Sequence, residues 1–153
     1  MQIRGYDDGD AEATLSVFRR AVRQTARADY SAEQVAAWAP DDLELTAWHQ
    51  RRRASETLLA VVGDRVAGFT DLDAGGYVDM LFVDPAFARR GVATALISAV
   101  VDLAQQRGIA TLATYASLTA RPFFEREGFV VTEERHPVVR GVVLTNFAMR
   151  REL

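Results

Sequence analysis

The sequence predicts an α/β layered domain built on a mixed sheet, and three observations predict it. Hydrophobic periodicity changes from helical to strand-like near Thr57. A two-residue turn at Gly63-Asp64 joins two strand-like runs. An apolar run ending at Asp84-Pro85 crosses a short basic loop and enters a long amphipathic segment through Gly91. The resulting order is β-α-α-α-β-β-β-α-β-α-β-β, one domain over residues 1–153.

Residues 2 to 6 are short and β-prone, and Asp7-Asp8-Gly9-Asp10 turns the chain into a helix. From Ala11 to about Ala28, Leu15, Phe18, Ala21 and Val22 recur at helical spacing. Ser31-Ala32-Glu33-Gln34 is a capping box opening a second helix that carries Val35 and Trp38, and Pro40 stops it. Asp41-Asp42 are expected to cap a third helix, through Leu45 and Trp48 to Arg51-Arg52-Arg53. That basic run suits a helix C-terminus, and its three side chains are expected to be solvated.

Thr57 to Val62 and Arg65 to Leu72 read as a hairpin, and Ala74-Gly75-Gly76 turns into a strand from Tyr77 to Val83. Consecutive apolar residues near the end of that strand predict burial on both faces at the sheet centre. A helix from about Arg90 to Arg107 presents one broad apolar arc (Val92, Leu96, Val100, Leu103), and Gly108 ends it. Thr111 to Tyr115 is a strand and residues 119–127 a short helix, while Val130 to Glu134 and Val142 to Met149 close the sheet.

Composition narrows the function. The chain is 49% hydrophobic and 25% charged, as soluble globular proteins are, and its length suffices for a core without cross-links. A net charge of −3 provides no basic field for nucleic acid, so no nucleic-acid partner is expected. Absence of cysteine excludes disulfides, thiolate metal sites and a cysteine nucleophile. His49 and His136 lie too far apart in sequence for a paired metal motif, and surface placement is their ordinary explanation. No window is apolar enough for a leader or a membrane span, so a cytoplasmic enzyme without a membrane partner is expected.

The strand-to-helix turn carries the first chemistry. Unpaired amides from Arg90 through Gly91, Val92 and Ala93 to Thr94, a positive dipole end, and the side chains of Arg89 and Arg90 describe a phosphate or pyrophosphate site. There is no Gly-Lys-Ser/Thr, and no G-x-G-x-x-G follows a strand, which excludes the better-known nucleotide loops. Gly91-Val92-Ala93 resembles the end of the acyl-CoA loop of the GCN5-related N-acetyltransferase (GNAT) family, Q/R-x-x-G-x-G/A, with Ala88 where that pattern has Gln or Arg. Ser117-Leu118-Thr119-Ala120-Arg121-Pro122-Phe123-Phe124-Glu125-Arg126-Glu127-Gly128-Phe129 resembles the family's second landmark, N-x-x-A-x-x-F-Y-x-x-x-G-F. Ala120, Phe123, Gly128 and Phe129 match; Ser117 replaces Asn, and Phe124 replaces a Tyr whose hydroxyl often protonates the departing thiolate. The resemblance runs from about Leu58 to the C-terminus and is nearest to the small bacterial YafP-like acetyltransferases.

That resemblance implies a mixed, mostly antiparallel sheet with helices on both faces and a splayed pair of central parallel strands. It implies acetyl-CoA as donor cosubstrate, no metal, and a pantetheine arm along the backbones of Leu81, Phe82 and Val83, with Ser117, Ala120, Phe123 and Phe124 beside it. An amide near Leu81 becomes the expected oxyanion donor. Asp79, two residues before Leu81 and hence on the same strand face, is a candidate base, equally readable as a structural aspartate; Tyr77 is another. Tyr115 can supply the hydroxyl that Phe124 lacks, though a half-buried core tyrosine is its commoner explanation. An acceptor pocket is expected between the N-terminal helices and the last strands, where Tyr30, Trp38 and Trp48 give aromatic walls and Asn146 a polar handle. The expected activity is acetyl transfer to a primary amine of a small molecule by direct attack on the thioester. A peptide amine acceptor and a non-catalytic acyl-CoA binder are the alternatives, and a homodimer stays open.

Overall fold

The computed structural model describes residues 1–153. The chain runs through β1 (Gln2–Gly5), α1 (Ala11–Arg20), α2 (Ala32–Trp38), α3 (Leu45–Ala54), β2 (Glu56–Val62), β3 (Arg65–Leu72), β4 (Tyr77–Val78) and β5 (Leu81–Val83). It continues through α4 (Val92–Gln106), β6 (Thr111–Ser117), α5 (Arg121–Arg126), β7 (Val130–Arg135), β8 (Val138–Val139), β9 (Val142–Val143) and β10 (Asn146–Glu152). Strands β1-β2-β3-β5 form an antiparallel sheet in that order. A second sheet has the order β4-β6-β10-β7, parallel only between β4 and β6. β4 and β5 are consecutive pieces of one extended path, so the break at Asp79-Met80 carries the chain from one sheet to the other.

Alternation along β2 and β3 places helices on both faces. Leu59 and Phe69 pack against Leu15 and Phe18 of α1 and Trp48 of α3. Their neighbours are small, and Ala60 packs instead with Val92 and Leu96 of α4. A Cβ at Gly68 would stand 2.8 Å from the Phe82 carbonyl oxygen and 3.0 Å from Val92 Cγ1, so only glycine lets α4 lie this close to the sheet. The second sheet packs Leu112, Phe147 and Met149 against Ile97 and Val100, with Phe124 and Phe129 closing the far side.

Several boundaries differ from the sequence-based expectation. The first helix leaves α-geometry after Arg20, widens into a π turn over Ala21–Thr25 and ends in a 3-10 turn over Ala26–Ala28. The capping box at Ser31 and Gln34 forms as expected, with Gln34 N–H donating to Ser31 Oγ at 3.1 Å. Asp41-Asp42 do not cap α3: its N-cap is Glu44, without a side-chain bond, and Asp41 pairs with Arg23 at 2.6 Å. The expected strand Val142–Met149 is interrupted, because Val142–Val143 pair with Val138–Val139 in a separate hairpin and the sheet strand starts at Asn146. Arg140 and Gly141 at its tip have φ of 47° and 79°, the left-handed values a two-residue hairpin turn requires.

The basic run at the end of α3 also departs from expectation. Arg51 and Arg53 are exposed, but Arg52 is only 2% exposed. Its guanidinium lies 4.6 Å from the Trp48 ring centroid, and Nη1 is 3.7 Å from Oδ2 of the equally buried Asp71. Burial, the largest effect, raises the Asp71 carboxyl to about 6; two backbone N–H bonds and Arg52 oppose the rise. Folding therefore lets Asp71 keep a proton that an unfolded carboxyl has released between about pH 4 and 6. The stability this group contributes is complete below about pH 4 and is lost as pH rises through about 6. Arg52→Met, which strands the carboxylate, should cost about 3 kcal/mol at pH 8. The cost should shrink at pH 5, where Asp71 is protonated in the folded state, and urea denaturation at the two pH values measures the difference.

Candidate active site

The site is built around a place where the sheet stops pairing. β4 meets β6 only at Tyr77↔Ala113 and Val78↔Thr114. Continued, that register would set Leu81 opposite Ser117, yet β5 pairs only with β3. On the β3 side, Asp84 N–H donates to the Ala67 carbonyl at 2.8 Å. By the alternation of an antiparallel ladder, Phe82 is then the next residue bonded to β3, while Leu81 and Val83 turn their N–H and C=O groups toward the gap. Phe82's side chain is held from behind, with ring centroids 4.9 Å from Phe18, 5.9 Å from Phe69 and 6.1 Å from Trp38.

At the break itself, the Asp79 and Met80 amides both donate to Asp71 Oδ1, at 2.8 and 3.1 Å, and Thr70 Oγ1 donates to the Met80 carbonyl at 2.7 Å. Asp79 and Leu81 are therefore not alternate residues of one regular strand, which removes the basis for placing them on one face. Asp79's side chain is exposed rather than desolvated, and it accepts the Tyr77 hydroxyl proton's bond at 3.1 Å.

Two clefts open from the gap. The first, of about 440 Å³, is lined by Leu81, Phe82 and Val83, by Arg89, Gly91, Val92, Ala93 and Thr94, and by Ser117, Ala120 and Phe123. Behind the loop that leads to α4, the buried carboxylate of Asp84 accepts the Ala86 amide through Oδ1 at 2.9 Å, and Oδ2 pairs with Arg20 at 2.8 Å. Gly91, at φ 76°, is the N-cap of α4, a conformation that strains a residue with a Cβ. The first helical hydrogen bond is Ala95 N–H to the Gly91 carbonyl at 3.0 Å, leaving the amides of Arg90 to Thr94 without an acceptor in the chain. No acidic residue occupies the first turn of α4, although Thr94 Oγ1 donates to Glu127 at 3.2 Å. Arg89 lines this cleft, but the Arg90 guanidinium packs over the Phe87 ring at 5.4 Å instead. The sequence reading missed Thr25 at the end of the π turn, Ala26 after it, Thr119, and Arg126, which adds a second cation to the cleft wall.

The second cleft, of about 250 Å³, holds Asp79, Tyr77, Tyr115 and Asn146. Tyr115 is 49% exposed and so is not a core residue; its ring centroid lies 5.6 Å from Tyr77's, and the Arg135 guanidinium sits 3.8 Å above it. Burial first, and then Asp79, raise the Tyr77 hydroxyl above its ordinary range, so it stays a proton donor. Asn146 Oδ1 is buried without a hydrogen-bond partner. Phe124, 3% exposed, belongs to the floor of this second cleft and to the cluster with Phe123 and Phe129, not to the first cleft. Pro137, Val139, Leu144 and Thr145, none of them anticipated, form the roof. That roof is fastened to α2 by Arg140 Nη1 donating to the Ala37 carbonyl at 2.8 Å and by Gln34 Nε2 donating to Val143 at 3.0 Å.

Trp38, Leu81, Phe82, Ser117 and Ala120 border both clefts. Tyr30 stands beside them, 6% exposed, donating to the Thr145 carbonyl at 2.6 Å and accepting from the Leu118 amide at 2.9 Å. Trp48, expected in the acceptor wall, is instead a core residue whose Nε1 donates to Thr14 Oγ1 at 3.0 Å. His49 is half-buried and bonded to the Tyr6 hydroxyl at 2.7 Å, whereas His136 is exposed.

Comparison with known proteins agrees with this architecture. The family description "Acetyltransferase (GNAT) domain" matches residues 26–151. The chain is 38% identical over 150 residues to the N-acetyltransferase YafP of Escherichia coli (strain K12), covering 98% of this chain and 95% of that one. A crystal structure of a GCN5-related N-acetyltransferase from Rhodopseudomonas palustris superposes with a TM-score of 0.96 at 33% identity, covering 99% of this chain and 95% of the other. In fold alone, yncA of Salmonella typhimurium, solved with its cofactor acetyl-CoA, is similar at a TM-score of 0.74 and 22% identity, covering 100% and 94%. No helix is long and apolar enough to cross a membrane. A mixed sheet opened between β5 and β6, free amides at the start of α4, and a family match over most of its length make the chain a member of the GNAT family of N-acetyltransferases.

Proposed function

We propose that the protein transfers an acetyl group from acetyl-CoA to the primary amine of a small molecule, by direct attack of the amine on the thioester. The observation that carries this reading is the meeting of two clefts at the unpaired edges of Leu81 and Ser117. In the first cleft, the amides of Arg90 to Thr94 receive the pyrophosphate, with Arg89 and Arg126 adding positive charge. The pantetheine amides add to the free edge of β5 as a strand would. The acetyl-CoA of the yncA structure, on the same fold, supports this assignment.

In the second cleft the amine nitrogen attacks the thioester carbonyl carbon, the negative charge gathers on oxygen near the Leu81 N–H, and collapse breaks the carbon–sulfur bond. Asp79, with Tyr77 donating to it, accepts the amine proton through solvent. Tyr115, beneath the Arg135 guanidinium, donates to the departing thiolate in place of the hydroxyl that Phe124 lacks. A volume of about 250 Å³, below the usual range of ligand pockets, and a fastened roof favour a compact acceptor over a peptide. Thiol release from acetyl-CoA over a mixed amine panel tests the reading; binding of acetyl-CoA without turnover on any amine would replace it with a non-catalytic binder.

Three substitutions assign the parts. Gly91→Glu puts a carboxylate and a strained residue at the start of α4, and should weaken acetyl-CoA at least tenfold by calorimetry in a protein still folded by circular dichroism, about 1.4 kcal/mol. Asp79→Asn should lower kcat/KM by roughly 10²-fold, with less loss at high pH where the amine is already neutral. A folded Asp79→Asn protein with normal kcat/KM would remove Asp79 from the mechanism. Tyr115→Phe should lower kcat with little change in the affinity for CoA; identical pH–rate profiles in both proteins would leave water as the acid.

A further inference from the structure

We propose that Asp71 is a positioning residue for acyl transfer: its carboxylate holds the break at Asp79-Met80 open and so aims the Leu81 N–H into the gap between β5 and β6. This rests on the reading that the Leu81 amide meets the oxyanion. The ladder between β3 and β5 pairs Thr70 with Leu81, and its next hydrogen-bonded pair would be Asp71 with Met80, main chain to main chain. Instead the Asp71 side chain takes the Met80 amide, and with the same oxygen the Asp79 amide. Met80 is thereby held a side chain's length from β3, and Thr70 Oγ1 secures the carbonyl of the same displaced residue. A charged acceptor makes stronger bonds to N–H groups than a carbonyl does, and a carboxylate can serve two at once. Burying that charge at 2% exposure is unfavourable, and it is offset by the charge of Arg52 of α3, itself buried and stacked on Trp48, whose Nη1 lies 3.7 Å from Asp71 Oδ2 and has no hydrogen-bond partner.

The titratable groups around Asp71 are Arg52 from α3, Asp79 on the adjoining backbone and Tyr77 beyond it. Burial is the largest influence and brings the carboxyl to about 6, so acidification weakens its hold on the two amides. The same oxygen contacts both amides and none of the residues lining either cleft includes Asp71, which separates its role from substrate contact.

Two variants and two readouts test the proposal. In the isotope-labelled wild-type protein, the Asp79 and Met80 amide proton shifts should follow a titration with a midpoint near 6, and in Asp71→Asn that titration should disappear. In steady-state kinetics, Asp71→Ala should lower kcat by about 10²-fold, the scale of a displaced oxyanion donor, with the Kd of CoA unchanged. Asp71→Asn, which keeps an oxygen acceptor at the same place, should retain most of kcat. Equal losses in the two variants, a folded Asp71→Ala protein with wild-type kcat, or amide shifts indifferent to pH near 6 would each overturn it. Should Asp71→Ala not fold, Asp71→Asn and the amide titration still decide. If the wild type transfers no acetyl group to any amine, the functional reading fails, while the amide titration continues to report whether Asp71 holds the break.

Discussion

An unpaired stretch of strand in the middle of a sheet is tolerable only if each of its polar groups finds another partner, and this constraint organises the molecule. After Val78 and Thr114 the two parallel strands separate. On one side, side chains of β3 satisfy the amides and the carbonyl at the break. On the other, Ser117 Oγ takes the Ala120 amide at 3.0 Å and the Tyr30 hydroxyl takes the Leu118 amide. What remains unsatisfied is the inner edge of Leu81 and Val83, together with the first amides of α4, and these are the groups a thioester cofactor can use.

Rigidity around this opening comes from aromatic packing behind it. Phe82 cannot drift while Phe18, Phe69 and Trp38 hold its ring, and Trp38 in turn meets Tyr30 at 5.4 Å. The free edge of β5 is thus displayed by a strand whose other side is fixed both by backbone pairing to β3 and by a ring cluster. The π turn that follows α1 belongs to the same arrangement, because it widens the helix where Ala21, Val22 and Thr25 border the first cleft.

Much of this was legible in the residues. Helical spacing located α1 and α4, the capping box located α2, and Gly91 with its basic loop located the free amides, because each rests on local geometry within a few residues. The break at Asp79-Met80 was not legible, since a carboxylate eight or nine residues away replaces a main-chain partner and leaves no periodic trace. Arg52 was misread for a related reason: in a polar run nothing marks the one arginine that folds back onto Trp48. The hairpin at Val138–Val143 does carry a local signal, Arg140-Gly141 between two valine pairs, although apolar continuity from Val142 to Met149 favours one longer strand. Trp48 departs from expectation, and Tyr115 faces the second cleft and not the core, because strand alternation and helix facing decide exposure, and aromatic character alone does not.

The two clefts share five residues, and the roof of the second comes almost wholly from residues 137–146. That stretch is a hairpin and the head of one strand, tied to α2 by two side-chain bonds to main-chain carbonyls and absent from the loop before α4. Sequence drift there can reshape what the second cleft admits while leaving the free amides at the start of α4 untouched. Divergence in such a chain is therefore modular: a lineage can remodel one cleft by rewriting residues 137–146, and inherit the other unchanged.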